Sequence, residues 1–304
     1  MRRAAFFLFW LFGFAGFSAS GGQEKTGILY DDLGHPFSFG APPRRIVSLA
    51  PNVTEILFAL GLGDRIVGVT RFCDFPPEAR AKEKVGGMID PSPEKIEALH
   101  PDLIFAFRGN PIGILNKLNT LGFPVFVLET GITLEALDGT IEKIGRAAWA
   151  EEEAAGLVAT LRQETALILD VLKNAQTRPR VFLALHGQGF WTCGRQSFLH
   201  DLIEKAGGEN IAGRMDRRWL NLNFELLIRE NPEVIVVLAK DEQAFLRARN
   251  RFLSDRRLKD IAAVRTGRID FLDENSASRF GPRLAEALRR LAEILHPEKF
   301  GAVG

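Results

Sequence analysis

Cysteine is scarce in this chain of 304 residues: there are two, Cys73 and Cys193. An exported protein could pair them in one bridge, but two separate small residues near the cleft is the favoured reading. Histidine is also scarce. The five, His35, His100, His186, His200 and His296, are scattered, which argues against the converging His and carboxylate set of a metal receptor. An excess of positive charge is missing. The 39 basic residues include Arg2 and Arg3, and residues 1–20 hold no acid, so without that segment 37 basic residues face 38 acidic ones, a net charge of about −1. That balance argues against nucleic acid as a partner, which would want a basic face. Low-complexity tracts are absent. So are a nucleophile elbow and a phosphate loop. Asp74 and Glu274 could be imagined as a catalytic pair, but caps or solvated loop acids explain them more simply.

What is present begins with residues 1–20. Arg2 and Arg3 precede the almost wholly apolar run from Ala4 to Phe17, and Ser18-Ala19-Ser20 is a small-residue cleavage pattern. This predicts a signal peptide that is removed on export; the run is short for an uncleaved span of about 20 residues. No cysteine lies near the cleavage pattern, which argues against a lipid anchor. In a Gram-negative cell the destination is the periplasm.

The most informative feature is a repeat. Ser92-Pro93-Glu94, a short helical stretch, His100-Pro101-Asp102 and the apolar run Leu103 to Phe107 return 131 positions later. The second copy is Asn223-Phe224-Glu225, a helical stretch, Asn231-Pro232-Glu233 and Val234 to Leu238. Each copy has a capping residue, a glutamate two positions on, a Pro-acid pair and a buried strand. Apolar runs alternating with helical patterns predict parallel sheets covered on both faces. A small hairpin is expected over 27–40, and a helix from Asn52 with a capping-box-like Asn52/Glu55 spacing. From Ala150 to about Ala175 the chain is predicted helical without a break, roughly 35 to 40 Å long and able to bridge two lobes. The expected division is 1–20 signal peptide, 21–149 first lobe, 150–177 bridging helix and 178–304 second lobe. Two lobes make a cleft, and clefts bind ligands.

Ligands of parallel α/β sheets sit beyond the carboxyl ends of the strands. The residues that follow the predicted strands are Arg71 and Phe72; Arg108, after Phe107; His186 and Trp191; and Arg279, with Trp219 in the loop before Glu225. Aromatics supply area and arginines grip carboxylates or phosphates, so the set suits a large, flat, partly anionic ligand. His186 could reach a metal axially, although a polar wall residue is the commoner role.

On these residues the chain resembles the periplasmic substrate-binding proteins of ABC importers for cobalamin and for iron–siderophore or haem complexes. The resemblance is carried by Arg45 to Glu55, Cys73-Asp74-Phe75-Pro76-Pro77, His100 to Ile104, Gly207-Gly208-Glu209-Asn210-Ile211 and Arg279 to Leu284. It implies an α/β fold of two Rossmann-like lobes joined by one long bridging helix, with little hinge motion. It implies a monomeric receptor, not an enzyme, with no cofactor and no resident metal of its own, whose cargo is a metal chelate. It implies that Glu94 and Glu225 dock on arginines of the permease dimer; as first-turn helix acids they would also suit the helix dipole. It gives Phe72, Phe107, Trp191 and Trp219 as ligand-packing aromatics and Arg279 as a polar contact, with a corrinoid as ligand. Tyrosine, tryptophan and an acidic residue would be expected where Phe72, Met88 and Asn275 stand. Those departures, and the charges of Arg71 and Arg108, keep ferric siderophore and haem as the second choice.

Overall fold

In the central strands, alternate residues enter different cores. The computed structural model describes residues 28–38, 40–185 and 189–301; the predicted signal peptide and His186 lie outside them. In the first lobe β1 (Leu29–Tyr30) and β2 (Pro36–Phe37) form the antiparallel hairpin. A five-stranded parallel sheet follows, made of β3 (Ile46–Ser48), β4 (Ile66–Val69), β5 (Glu83–Lys84), β6 (Leu103–Phe107) and β7 (Val125–Leu128), in the order β5-β4-β3-β6-β7. Its helices are α1 (Pro51–Ala59), α2 (Pro93–Ala98), α3 (Ile112–Thr120) and α4 (Leu134–Ala148).

The second lobe carries β8 (Arg180–Ala184), β9 (Phe190–Cys193), β10 (Glu209–Asn210), β11 (Trp219–Leu222), β12 (Val234–Ala239) and β13 (Ile269–Asp273). Four of these form a parallel sheet in the order β10-β8-β12-β13, while β9 and β11 pair apart from it as an antiparallel ribbon. The helix that joins the lobes is α5 (Glu151–Leu172), 22 residues and so about 33 Å long. Its buried residues Ala154, Val158, Leu161 and Ile168 form one stripe. Gly145 lets α4 lie close against it, since a Cβ there would stand 2.5 Å from the Cβ of Ala154. After it come α6 (Phe198–Lys205), α7 (Phe224–Glu230), α8 (Glu242–Ser254), α9 (Ala262–Thr266), α10 (Glu274–Ser278) and α11 (Leu284–Leu295). Among the described residues no helix is long and apolar enough to cross a membrane.

The alternation shows how the lobes are joined. Leu103 and Phe105 of β6 share one continuous core with Val181 and Leu183 of β8, and with Val234, Val236 and Leu238 of β12. Their neighbours in β6, Ile104 and Ala106, belong to a core confined to the first lobe. Phe182, Ile235 and Val237 belong to one confined to the second. A period of two thus gives each sheet an inner face shared between lobes and an outer face of its own. Polar ties add to this. Asp201 accepts from the Leu134 amide at 2.7 Å, and Lys205 pairs with Glu135 at 2.7 Å.

The repeat is structural. Ser92 and Asn223 each cap a short helix by accepting a backbone N–H. His100 and Asn231, at equivalent positions before the prolines, both adopt positive φ, 44° and 43°. Arg45 donates to the carbonyls of Leu99 and His100, and Arg180 likewise to those of Glu230 and Asn231. Asp102 accepts from the Arg45 amide as Glu233 does from that of Arg180. Two copies of one local scheme therefore end in β6 and β12, each with a strand on either side in its sheet.

Several local expectations need correction. Helix α1 starts at Pro51, whose fixed φ suits a first helical position, and Asn52 does not cap it. The Asn52 side-chain Nδ2 instead donates to the Phe280 carbonyl at 3.3 Å in the other lobe. Trp191 and Trp219 stand on the β9–β11 ribbon rather than in loops. The cysteines, by contrast, are as expected: Cys73 and Cys193 are separate, free buried thiols. Each is held within its own lobe, Cys73 by Thr54 and Thr70, Cys193 by Asn210.

Candidate functional site

Each sheet has a switch point where the winding reverses, between β3 and β6 in the first lobe and between β8 and β12 in the second. Such points open a crevice beyond the strand ends. In the first lobe the crevice is organised by Asn110, which sequence reasoning missed. Its buried side chain accepts from the Phe107 amide at 2.8 Å and donates to the carbonyls of Leu49 (3.2 Å) and Met88 (2.7 Å). One amide thus fixes the ends of β3 and β6 and the loop carrying Met88. Phe107, at the end of β6, is half-buried, and Phe72 is 50% exposed.

In the second lobe the crevice is a cavity of about 450 Å³ lined by Leu185, Trp191, Leu199, Trp219, Leu238 and Glu274, with Ser278. Trp191 faces Asn221 across the ribbon and Trp219 faces Cys193, so the two indoles are diagonal neighbours on one face. Each is 42% exposed. The ribbon is braced from behind by Phe190, whose ring meets that of Phe224 edge-on at 4.8 Å. The structure therefore brings Trp191 and Trp219 together in one cavity.

The arginines are placed differently from free anion grips. Arg71 pairs with Asp90 and lies over the Phe72 ring at 5.5 Å. Arg108 pairs with Glu129 at 2.7 Å. Both are at least half exposed, so these pairs are weak and exchangeable. Arg279 is largely buried and crosses between the lobes. It donates to Asp74 (2.7 Å), Glu55 (2.9 Å) and the Phe72 carbonyl (3.3 Å), all in the first lobe, and to Asn275 (2.9 Å). Burial raises the Asp74 pKa, but the hydrogen bond and charge of Arg279 outweigh it and hold that carboxyl below its ordinary range. Glu55 also takes both Nε and Nη2 of Arg283, at 2.9 and 2.7 Å. Glu55 and Arg283 were not foreseen as a cross-lobe pair, because they are 228 positions apart and only the fold brings them together.

Glu94 and Glu225 are exposed on the first turns of α2 and α7. Glu94 accepts from Lys117 at 2.9 Å and Ser92 at 3.1 Å. Lys117 chiefly, with Glu94's own backbone amide and Ser92, lowers its pKa to about 2, so it is an anion throughout the physiological range.

The model of a family described as "Periplasmic binding protein" matches residues 46–276. The chain belongs to this periplasmic binding protein family. It is 30% identical over 267 residues to an uncharacterized ABC transporter substrate-binding lipoprotein of Bacillus subtilis, covering 85% of this chain and 82% of that one. It is 29% identical to the vitamin B12-binding protein of Photorhabdus laumondii, over 85% of this chain and 90% of that one. Among solved structures, the periplasmic haem-binding protein RhuT of a Roseiflexus species aligns with a TM-score of 0.76 at 28% identity, over 84% of this chain and 99% of that one. The periplasmic vitamin B12-binding protein BtuF of Vibrio cholerae aligns with a TM-score of 0.71 at 28% identity, over 84% and 98%. Two parallel α/β lobes on one long helix are thus the architecture of this periplasmic binding protein and of its solved neighbours.

Proposed function

We propose that this protein is the exported, monomeric receptor of an ABC importer, and that it captures a corrinoid between its lobes without transforming it. On this reading it has no cofactor of its own; the metal complex is cargo. The observation that carries the reading is the pair Trp191 and Trp219 on one wall of a cavity of about 450 Å³ at the switch point of the second sheet. Two flat, half-exposed indoles suit a large flat ring, and the exposed Phe72 of the first lobe adds a further aromatic surface. The likeness to vitamin B12-binding proteins supports a corrin. The likeness to a haem-binding protein supports the second reading, a haem or other iron chelate in the same cleft.

Delivery is assigned to Glu94 and Glu225, whose equivalence within the repeat places one on each lobe. A permease arginine would take Glu94 from Lys117 by exchanging one exposed ion pair for another, which costs little.

The test follows tryptophan emission during titration with cobalamin, haem and ferric siderophores, corrected for absorption by the ligand and repeated by calorimetry. Saturable one-to-one cobalamin binding is expected. Tight binding of an iron chelate alone would overturn the corrin and keep the receptor; turnover of an ester or phosphate panel would overturn the receptor. For delivery, Glu94→Arg with Glu225→Arg should abolish uptake and leave ligand affinity intact, and surviving uptake refutes docking.

A further inference from the structure

The three arginines expected in the cleft all have carboxylate partners, but among the described residues two cations beside it have none. A second cavity, about 460 Å³, opens beneath α8 at the carboxyl ends of β8 and β12. It shares Leu185, Leu238 and Glu274 with the tryptophan cavity, so the two are adjoining compartments. Its floor is apolar, including Ala184, Val237 and Phe252, and its rim carries Lys240, Arg247 and Arg251. Among the described residues Lys240 and Arg247 make no ion pair. Among the described lining residues Glu274 is the one acid, beside the three cations Lys240, Arg247 and Arg251. The nearby Asp241 points its carboxylate into the helix start, accepting the Ala244 amide at 2.7 Å.

We propose that this cavity is an anion compartment of the ligand site: it takes a carboxylate- or phosphate-bearing arm of the molecule whose flat body lies on Trp191 and Trp219. This rests on the receptor reading above and narrows it to ligands with an anionic arm. An apolar floor with cations only at the rim gives an entering anion two unengaged partners at a less aqueous surface than open solvent, where charge–charge attraction is stronger. It also separates the work of the site. The tryptophans hold a ring of any charge, and Lys240 and Arg247 discriminate among rings by what hangs from them.

Pyrophosphate is the probe that does not depend on which chelate binds. Calorimetry at low ionic strength compares wild type, the double variant Lys240→Gln/Arg247→Gln, and Arg256→Gln, an exposed arginine outside the cavity. Loss of two exposed charge contacts should weaken pyrophosphate about tenfold, and Arg256→Gln should leave it unchanged. No binding by wild type, equal binding by the double variant, or an equal loss in Arg256→Gln overturns the compartment. A second comparison uses haem and its dimethyl ester, whose two carboxylates are masked. The double variant should lose affinity for haem and keep that for the ester. Chelate binding that ignores the double substitution sinks the compartment and spares the receptor. Pyrophosphate binding at these residues in a protein that takes no chelate sinks the receptor and spares the compartment.

Discussion

Replacing Glu55 by glutamine should loosen the junction between the lobes. The Glu55 side chain is 2% exposed and faces two guanidinium groups, Arg279 at 13% and Arg283 at 17%. Glutamine keeps the volume and removes the charge, leaving two largely buried cations short of one anion. Removing one partner of a buried ion pair costs about 3–5 kcal/mol. The lower end applies here, because Arg279 keeps Asp74, while Arg283 keeps the Asn275 carbonyl at 3.2 Å and the Phe75 ring at 4.0 Å. A loss of about 3 kcal/mol at roughly 2–4 °C per kcal/mol corresponds to a fall of about 6–12 °C in Tm. The assay is thermal unfolding of ligand-free protein followed by circular dichroism, with Arg283→Gln and the double variant completing a cycle. A coupling of roughly 1–3 kcal/mol between the two positions is expected. A Glu55→Gln protein melting within about 1 °C of wild type, or additive single effects, would refute the reasoning and leave the junction to the shared core and the remaining polar ties.

Three further outcomes are expected. Trp219→Ala should weaken the cleft ligand by about 2 kcal/mol, roughly 30-fold, as for a buried aromatic anchor; titration of the variant checks this, and a change under about twofold refutes it. Because the Asp74 pKa is depressed in the folded state, its contribution is fully present above the ordinary carboxylate range, near 3.8, and is lost as pH falls through the lower folded value. Asp74→Asn should therefore melt below wild type at pH 7 and converge with it in strong acid; a gap that persists there contradicts the assignment. Cys193 is buried, which pushes its thiol up to about 12, so both thiols should resist alkylation at pH 8 until urea unfolds the chain; fast labelling of the native protein would refute their burial.

The parts of the fold that were legible in the sequence are those fixed within a few residues. The caps at Ser92 and Asn223 and the apolar runs of β6 and β12 are local patterns, and each forms as its pattern requires. Helix α8 was not legible. It buries one residue, Phe252, and is otherwise rich in arginine, so no apolar stripe announces it. The β9–β11 ribbon escaped for a related reason: Trp191 and Trp219 read as loop aromatics because the partner strand lies beyond an intervening helix. Placement of Arg71, Phe72 and Arg108 after strand ends was legible from the α/β scheme alone. Their partners were not, since Asp90 and Glu129 lie in separate loops whose approach depends on the sheet order.

The shared core constrains how such a cleft can work. A hinge that closed the lobes appreciably would shear the apolar core that runs between them through α4, α6 and α11, where residues such as Leu137 and Leu199 are almost fully excluded from water. Close-packed faces of that kind shift between discrete arrangements rather than deform continuously. The tie of Glu55 to Arg279 and Arg283 opposes the same motion at the cleft itself. On the proposed receptor reading, recognition would then fall to groups that can move without moving the lobes: the half-exposed indoles of Trp191 and Trp219, and the exposed Arg71 and Arg108 with their exchangeable carboxylates. Glu94 and Glu225, one on each lobe of a stiff body, keep their separation whether or not the cleft is filled. On the docking proposed above, a permease would read ligand occupancy from the cleft surface rather than from the spacing of the two glutamates. Distance measurement between spin labels at Lys95 and Ile228, with and without ligand, should show less than about one helical turn, roughly 5 Å, of change. A larger change would mean that the shared core yields.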